Sequence, residues 1–552
     1  MLPKRSDVSP CRHTGHCLYD ERMPTHADVI ADTLARRGVE YVFGLPGGEI
    51  FALVDACRRA GLRFLLTGHE ASAAWMAQVV GQMTGVPGVC AATLGPGATN
   101  LITGVANAWL DRAPLLAVTA QIPGPLLPTM THQRLALREL FAPITKRTLA
   151  VGEGDTGDLV NESMDLAAAP RPGPVYLSLA SDLAVTECKS RPARQATATA
   201  TTENTTVREK LDQIIARLEA ASRPIVVIGL GATAATVPAV RAFVDKLQAP
   251  FLVTAKAKGI VSDDHPLFGG VASGMALDQE IIETIHTADL VIGIGFDPVE
   301  CDKPWFADVE VIALDEVSMV AGNYRPLEAI GDLATLLALL SARISGPKAW
   351  PAEILERRRR AIQREPTSTS AGLSPLRLIE QLRSTLPRDA LITCDVGSHK
   401  LVLGQFWRAY EPGTFLVSNG LSGMGFGIPA GVAAQLVHPM KPIVALVGDG
   451  GMLMMLHNLV LIRELKLPLI IVVLSDGSLS LIRLSAERRG FLPHGVDFCP
   501  PDFAALAQTF GIAGRRITSI SELRGAVERA LVERTAVVLD VPIDYREYRE
   551  LV

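Results

Sequence analysis

The chain carries many short runs of apolar residues, separated by longer stretches that read as helices. A run of four to eight residues rich in Val, Ile and Leu is typical of a strand covered by helices on both faces. Strands that alternate with helices predict parallel sheets and the α/β class. The predicted strands cover residues 63–67, 89–93, 115–119, 175–179, 225–228, 251–253, 290–294, 311–314, 443–447 and 469–474.

The chain is long enough for about three domains, since it has 552 residues. A Thr-rich stretch over residues 191–207 reads as a linker, and a Pro- and Arg-rich stretch covers residues 347–367. We therefore expect three doubly wound parallel-sheet domains at residues 23–190, 208–344 and 368–552. Residues 1–22 are expected to form a disordered extension.

Composition excludes several classes of function. Hydrophobic residues make up 48% of the chain, charged residues 20%, and the net charge is −5. A negative charge without basic runs argues against a nucleic-acid partner. No uninterrupted apolar stretch approaches membrane-spanning length, and the first thirty residues lack the apolar region of a signal peptide, so a cytoplasmic protein with no membrane partner is expected.

The eight cysteines are scattered, which favours reduced thiols over a disulfide framework. Cys11, His13, His16 and Cys17 offer four possible zinc ligands within seven residues. Such crowding cannot easily close a tetrahedral site, because zinc ligands are normally split into two spaced pairs. A zinc site is therefore not expected.

Two carboxylates follow neighbouring predicted strands in the last third of the chain. Asp449 comes after the strand at residues 443–447, and Asp476 comes after the strand at 469–474. Both would lie at the carboxyl edge of one parallel sheet, where ligands of such sheets bind. With the main-chain carbonyl of Ser478 they would supply three oxygen ligands for Mg²⁺.

The glycines beside Asp449 suggest a phosphate site at the same edge. Gly448, Gly450 and Gly451 would let the backbone approach an anion, and a helix predicted over residues 452–466 would point its positive end there. Asp-Gly pairs after strands are, however, most often simple turn and capping residues. Neither pair alone would identify a site.

The spacing of the two carboxylates, with a strand and a helix between them, resembles the thiamine-diphosphate motif of the pyruvate oxidase, acetolactate synthase and 2-oxoacid decarboxylase superfamily. Residues 44–48 (Gly-Leu-Pro-Gly-Gly), 68–71 (Gly-His-Glu-Ala) and 94–100 (Leu-Gly-Pro-Gly-Ala-Thr-Asn) are similar to its pyrimidine-binding domain. The resemblance covers residues 23–545. It implies pyrimidine-binding, central and diphosphate-binding domains, in that order.

Within the superfamily the chain most resembles catabolic, flavin-independent acetolactate synthase. Four stretches carry this resemblance: residues 131–133, 294–300, 394–399 and 540–545. The second has Ile-Gly-Phe-Asp-Pro-Val-Glu where the flavin-dependent type usually has an Arg-Phe-Asp-Asp-Arg pattern. FAD is therefore not expected, and the incomplete dinucleotide fingerprint at residues 229–234 is interpreted as a tight turn.

The resemblance also implies roles for individual residues. Glu70 matches the carboxylate that protonates N1′ of the cofactor's pyrimidine; its alternative role is that of an acid favoured by a helix dipole. Met424 matches the wedge that bends the cofactor, and the Ser422 carbonyl would contact the pyrimidine. Residues expected on the diphosphate side are Gly397, Ser398 and His399, beside Gly448, Asp449, Gly450, Gly451, Asp476 and Ser478.

The substrate pocket is implied by the same resemblance. Gly47 and Gln133 match groups close to the reacting carbon, and the expected pocket residues are His132, Gln133, Leu479, Ile482 and Ser485. Acetolactate synthases usually place Gln or Trp where this chain has Ser485. A smaller side chain should widen the acceptor side of the pocket.

The implied reaction is decarboxylation of pyruvate and carboligation to a second 2-oxoacid, giving 2-acetolactate. The alternatives are another decarboxylase, lyase or carboligase that takes a larger acceptor, and a non-catalytic subunit with this fold. The resemblance also implies a homodimer or homotetramer whose active sites lie at the subunit interface.

Overall fold

The computed structural model describes residues 23–189, 205–348 except Ser273, 350–351, 353–354, 356, 360 and 373–552. These residues form three six-stranded sheets in which every recorded strand pair is parallel, so the predicted α/β class is confirmed. Every predicted strand is present, with ends that differ by at most two residues. The extension at 1–22, with its Cys and His residues, and most of both linker stretches lie outside the described residues.

The first sheet has the strand order β2-β1-β3-β4-β6-β5. Its strands are β1 Tyr41–Leu45, β2 Arg63–Leu66, β3 Gly88–Ala92, β4 Leu115–Gln121, β5 Arg147–Ala150 and β6 Pro174–Ala180. Its helices are His26–Arg36, Phe51–Arg59, Glu70–Thr84, Pro96–Leu110, Leu137–Phe141, Thr156–Ala168 and Ser181–Ala184. The order reverses between β1 and β3, which is where a ligand of such a sheet is expected.

The second sheet has the order β12-β11-β10-β7-β8-β9. Its strands are β7 Pro224–Ile228, β8 Phe251–Val253, β9 Phe268–Val271, β10 Leu290–Ile294, β11 Val311–Asp315 and β12 Leu327–Ile330. Its helices are Thr205–Ala220, Val237–Leu247, Asp278–His286 and Leu333–Arg343. This is the order of dinucleotide-binding folds, whose switch point lies between the first and fourth strands, here β7 and β10.

The third sheet repeats the order of the first, as β14-β13-β15-β16-β18-β17. Its strands are β13 Leu391–Cys394, β14 Phe415–Val417, β15 Ile443–Gly448, β16 Leu469–Ser475, β17 Ala513–Arg516 and β18 Val537–Pro542. Its helices are Pro375–Thr385, Ser398–Phe406, Gly427–Val437, Asp449–Met455, Asn458–Glu464, Ser480–Arg488, Phe503–Thr509, Ile520–Glu533 and Tyr548–Leu551.

The helix predicted over residues 452–466 was wrong in its extent. The structure has two helices, Asp449–Met455 and Asn458–Glu464, with a turn at Leu456 and His457. At the break, Asn458 Nδ2 donates to the carbonyl of Met455 at 3.0 Å, and His457 Nε2 lies 2.9 Å from Ser72 Oγ of the first unit. The break in the helix thus coincides with a contact to a distant part of the chain.

The third unit shares an apolar core with each of the other two. One core joins the first and third sheets, and another joins the second and third. Helix Glu70–Thr84 packs against helix Gly427–Val437 between the first and third sheets. Both helices are apolar on nearly all sides, as expected for buried helices.

A buried ion pair fastens the second unit to the first. Asp297, which follows β10, lies 2.7 Å from Arg112 Nε and 3.3 Å from an Arg171 Nη atom. The side chains of Asp297 and Arg112 are only 1% and 8% exposed. In the described part of the chain, no helix is both long and apolar enough to cross a membrane.

Candidate active site

A pocket opens at the carboxyl edge of the third sheet, at the switch point between β13 and β15. We call it the carboxyl-edge pocket. It is lined by Val396, Gly397, Ser398, His399, Met424, Gly448, Asp449, Gly450, Gly451, Leu474, Asp476, Ser478, Leu479, Ser480, Leu481, Ile482, Ile543 and Tyr548. Asp449 directly follows β15 and Asp476 directly follows β16, so their predicted positions are confirmed.

The two aspartates are joined through the main chain. Asp449 accepts hydrogen bonds from the N–H groups of Gly450 at 2.8 Å, Gly477 at 2.7 Å and Asp476 at 3.1 Å. Asp476 accepts from the N–H of Ser478 at 3.0 Å and from the Ser480 hydroxyl. These bonds hold both carboxylates in place before any ligand arrives.

Both carboxylates lie in surroundings that disfavour their charge. Burial and the neighbouring Asp449 raise the pKa of Asp476 to about 6, and burial raises the pKa of Asp449. A divalent cation between them would offset this repulsion. No group of three or more His, Cys, Asp or Glu side chains in the described residues could hold a metal, so an ion here would need main-chain or ligand oxygens as well.

The opposite wall of the pocket contains buried polar atoms without protein partners. Within the described residues, the lining atoms Ser398 Oγ, His399 Nε2 and Tyr548 Oη have no hydrogen-bond partner. Asp395 Oδ2, which lies behind the lining beside Gly451, also has none. Burial lowers the pKa of His399 to about 4, so its ring is neutral at pH 7. Unpaired buried polar groups are costly, and a polar ligand in the pocket would satisfy them.

Glycines shape the floor of the pocket. A Cβ on Gly451 would lie 2.0 Å from Asp395 Oδ2, and a Cβ on Gly397 would lie 2.7 Å from His399 Cε1. A Cβ on Gly450 would lie 3.3 Å from Met424 Cε. Side chains at these positions would therefore press on Asp395, His399 and Met424 and disturb the lining of the pocket.

A second cluster of predicted site residues lies at the switch point of the first sheet. Glu70 begins helix Glu70–Thr84, is 4% exposed, and accepts a hydrogen bond from Asn100 Nδ2 at 2.9 Å. A Cβ on Gly97 would lie 3.4 Å from Glu70 Oε1. A Cβ on Gly47 would lie 2.7 Å from Thr93 Oγ1, whose hydroxyl donates to Glu49. We call Gly47, Glu70, Thr93, Gly97 and Asn100 the amino-terminal cluster.

The remaining predicted residues occupy more open positions. His132 and Gln133 are exposed, and Gln133 lies against Gly95 near the amino-terminal cluster. Ser422 is exposed, with a φ of 54°, in the loop that also carries Met424. Ser485 does not line the pocket, but it is half-buried one turn along helix Ser480–Arg488 from the lining residue Ile482.

Among the described residues of a single chain, the two clusters do not line the same pocket. All residues that line the carboxyl-edge pocket belong to the third unit, whereas Gly47, Glu70, His132 and Gln133 belong to the first.

The sequence did not predict several residues that the structure places at these two sites. Asn100 and Asp395 lie inside motifs already singled out, whereas Tyr548 and Glu49 gave no signal beyond their residue type.

Family models match this chain over three segments, in the order of the three sheets. Residues 24–140 match the N-terminal binding domain of thiamine pyrophosphate (TPP) enzymes, 211–340 their central domain, and 395–541 their C-terminal TPP binding domain. The chain therefore belongs to the thiamine pyrophosphate enzyme family. All residues that line the carboxyl-edge pocket, except Ile543 and Tyr548, lie within the segment matched by the C-terminal binding domain.

Curated relatives narrow the type of enzyme. An acetolactate synthase of Bacillus subtilis (strain 168) is 30% identical over 94% of this chain and 93% of its own length. The large subunit of acetolactate synthase isozyme 2 of Escherichia coli (strain K12) is 32% identical over 94% and 96%. A catabolic acetolactate synthase of Raoultella terrigena is 28% identical over 96% of both. This chain is thus a thiamine-diphosphate-dependent enzyme of the acetolactate synthase type.

Proposed function

We propose that the protein decarboxylates pyruvate and joins the remaining two-carbon unit to a second 2-oxoacid, giving 2-acetolactate, with thiamine diphosphate and Mg²⁺. The paired carboxylates of Asp449 and Asp476, held by main-chain N–H groups at the sheet edge, carry this proposal. They form a site for a metal ion that is also bound to a diphosphate. The names of the relatives support the reaction.

Residues of the carboxyl-edge pocket would hold the cofactor. Asp449, Asp476 and the Ser478 carbonyl would bind Mg²⁺, while the polar atoms of Ser398 and His399 would face the diphosphate together with Gly397, Gly448, Gly450 and Gly451. Met424 and the Ser422 carbonyl would contact the pyrimidine. When bound, thiamine diphosphate supplies a thiazolium that accepts the electron pair released by decarboxylation.

Glu70 would manage the proton at N1′ of the pyrimidine. Its carboxylate is buried, and its single described hydrogen bond comes from Asn100, so one oxygen remains free for a ligand. A buried acid within hydrogen-bond reach of a ring nitrogen is suited to this transfer. Gly47 and Gln133, from the same unit, would lie near the reacting carbon, with His132 beside them.

The two clusters would form one site in a homodimer, in which the first unit of one chain faces the third unit of its partner. Four large apolar side chains near the pocket are exposed and would be covered in such a dimer: Leu421 at 36%, Leu453 at 38%, Met454 at 50% and Val460 at 47%. A homotetramer would consist of two such dimers. On this basis residues 23–190 form the pyrimidine-binding domain, 208–344 the central domain and 368–552 the diphosphate-binding domain.

The proposed enzyme does not use FAD, and the close packing around the glycine turn of the second unit supports this part of the proposal. The turn after β7, at the switch point of the second sheet, packs against the segment after β10. A Cβ on Gly229 would lie 2.5 Å from the Gly295 carbonyl oxygen, and the Leu230 N–H donates to Glu300 Oε2 at 2.9 Å. The side chain of Glu300 thus accepts from an N–H group that a phosphate could otherwise use.

A larger acceptor than pyruvate is the second candidate, and Ser485 favours it. The helix face that begins with the lining residues Leu481 and Ile482 continues to Ser485, where a small side chain leaves room. Leu479 and Ile482 would form the apolar wall of that space.

The first experiment measures pyruvate consumption by purified protein with thiamine diphosphate and Mg²⁺ but no FAD, with products identified by mass spectrometry. Glu70→Gln keeps an acceptor for Asn100 but loses the acid, so turnover should fall about 10²- to 10⁴-fold with the fold retained. The exposed variant Glu153→Gln is the matched control. Consumption of pyruvate without acetolactate would point to another acceptor, and no consumption would refute the proposal.

A further inference from the structure

Asp111 is a buried carboxylate that contacts all three sheet units. It follows helix Pro96–Leu110 of the first unit and is 3% exposed. Its Oδ2 accepts from Gln78 at 3.1 Å and Asn107 at 3.2 Å within that unit, and forms an ion pair of 2.8 Å with Lys256 of the second. Its Oδ1 accepts from two N–H groups of the third unit.

Those two N–H groups belong to the 418–425 loop, which carries Ser422 and Met424. Gly420 donates to Asp111 at 2.8 Å and Asn419 at 3.3 Å. A Cβ on Gly420 would lie 2.6 Å from Leu110 Cβ, so this part of the loop packs directly on the end of helix Pro96–Leu110. The first unit therefore fixes the position of the loop's first half.

Further hydrogen bonds hold the rest of the loop. Ser418 Oγ donates to Asn107 Oδ1 at 2.5 Å and accepts from the Gly423 N–H at 3.0 Å. Lys400 Nζ donates to Ser422 Oγ at 3.0 Å, and the Gly425 N–H donates to Asp395 Oδ1 at 2.7 Å. Ser422 has a φ of 54°, a strained conformation for serine that persists only where its surroundings impose it.

The negative charge of Asp111 offsets the positive charges of two buried lysines. Lys256 Nζ is buried and, among the described residues, makes no hydrogen bond besides its ion pair with Asp111. Lys400 is also buried; burial lowers its pKa to about 8, and Asp111 acts in the opposite direction. One carboxylate thus offsets the charge of Lys256 of the second unit, with which it pairs, and of Lys400 of the third, which donates to Ser422 of the loop.

We propose that Asp111 is a positioning residue for the cofactor's pyrimidine, because it holds the 418–425 loop in place, and that Lys256 connects the central unit to the same loop. This inference rests on the proposed function, since it assigns the pyrimidine contact to Ser422 and Met424. The central unit then contributes to cofactor binding through Lys256.

Calorimetric titration of the full chain tests the proposal with two probes, each in excess Mg²⁺: thiamine diphosphate, and inorganic diphosphate, which lacks the pyrimidine. Asp111→Asn and Lys256→Met should weaken thiamine diphosphate binding roughly 10- to 100-fold, as expected when a charge-assisted hydrogen bond is lost. Inorganic diphosphate binding should remain within about twofold, because its site is built by other residues.

Lys258→Met is the matched control. Lys258 forms a buried ion pair of 2.7 Å with Asp263, which also accepts from the Ala409 N–H of the third unit. This pair therefore joins the second and third units without hydrogen-bonding to the loop. The Lys258→Met variant should have a lower unfolding temperature but should bind both probes as the wild type does. If Asp111→Asn does not fold, Lys256→Met decides, because it leaves Asp111 in place.

Equal weakening of both probes in the Asp111 and Lys256 variants would overturn the inference, as would unchanged thiamine diphosphate binding or an equal loss in Lys258→Met. These outcomes leave the proposed function standing. Absence of thiamine diphosphate binding by the wild-type protein would instead overturn the proposed function, and this inference with it.

Discussion

At the scale of single residues, the most informative atoms are the polar ones that the chain leaves unpaired. Ser398 Oγ, His399 Nε2 and Tyr548 Oη all line or adjoin one pocket, although a buried hydroxyl normally has a partner. Their concentration there indicates a polar ligand. Tyr548 was not predicted from the sequence, because its position depends on how the last helix folds back onto the third sheet.

Tyr548→Phe tests whether this hydroxyl meets the ligand. An unpaired buried hydroxyl costs about 1–3 kcal/mol, so the variant should be at least as stable as wild type. We expect its affinity for thiamine diphosphate with Mg²⁺ to fall about tenfold, measured by calorimetry. Tyr324→Phe is the control, because Tyr324 Oη is also buried and unpaired among the described residues but lies in the second unit. Equal affinities in both variants would assign Tyr548 to packing alone.

Ser485→Trp tests the width of the acceptor pocket. A large side chain on this helix face should disfavour acceptors larger than pyruvate by about 10-fold or more relative to pyruvate. Competition between pyruvate and 2-oxobutyrate as acceptors, with products quantified by mass spectrometry, measures the ratio. Arg489→Trp, at an exposed position just past the helix, is the control. An unchanged ratio would remove Ser485 from the pocket.

At the scale of elements, patterns of apolar residues predicted ten of the eighteen described strands. The eight that were missed are the edge strands β5, β9, β12, β14 and β17 and the buried interior strands β1, β13 and β18. The edge strands β5 and β17 contain Arg147, Arg515 and Arg516, and β17 is largely exposed, so neither strand carries a long apolar run. The break between helices Asp449–Met455 and Asn458–Glu464 coincides with a contact to Ser72, far away in sequence. Asp449, Asp476 and Glu70 were placed correctly because each directly follows a strand or begins a helix.

The stability of the protein should depend on pH through Glu300, whose side chain accepts a hydrogen bond from the glycine turn after β7. Burial raises the pKa of Glu300 from its ordinary 4.5 to about 8; nearby Asp297 acts in the same direction, and Lys256 opposes it. Between these values the folded protein binds a proton that the unfolded chain releases. The free energy of unfolding should therefore fall as pH rises through this window, by at most about 1.4 kcal/mol per pH unit.

Urea unfolding of wild type and Glu300→Gln at pH 5.5 and 7.5 measures this effect. The glutamine keeps an acceptor for the Leu230 N–H but does not titrate, so the variant should lose less stability than wild type between the two pH values. Glu310→Gln, an exposed position of the same unit, should behave as wild type. An equal change in the free energy of unfolding of wild type and Glu300→Gln between the two pH values would refute the effect.

At the scale of the whole molecule, the proposed function joins the two clusters in a homodimer. Met454 lies on helix Asp449–Met455, half exposed, among the apolar side chains that we expect the partner to cover. Met454→Asp should therefore yield monomers without activity, whereas Val532→Asp, at a position 84% exposed on helix Ile520–Glu533, should remain oligomeric and active. Sedimentation velocity measures the difference, and an intact Met454→Asp dimer would contradict this interface.

The separation of Glu70 from Asp449 within one chain has a genetic consequence. Glu70→Gln and Asp449→Asn chains would each be inactive alone, yet a hybrid dimer of the two would combine both lesions in one site and leave the other site intact. Random mixing should then restore about one quarter of the wild-type sites. Two inactive alleles expressed in the same cell would complement each other, although neither encodes a working protein.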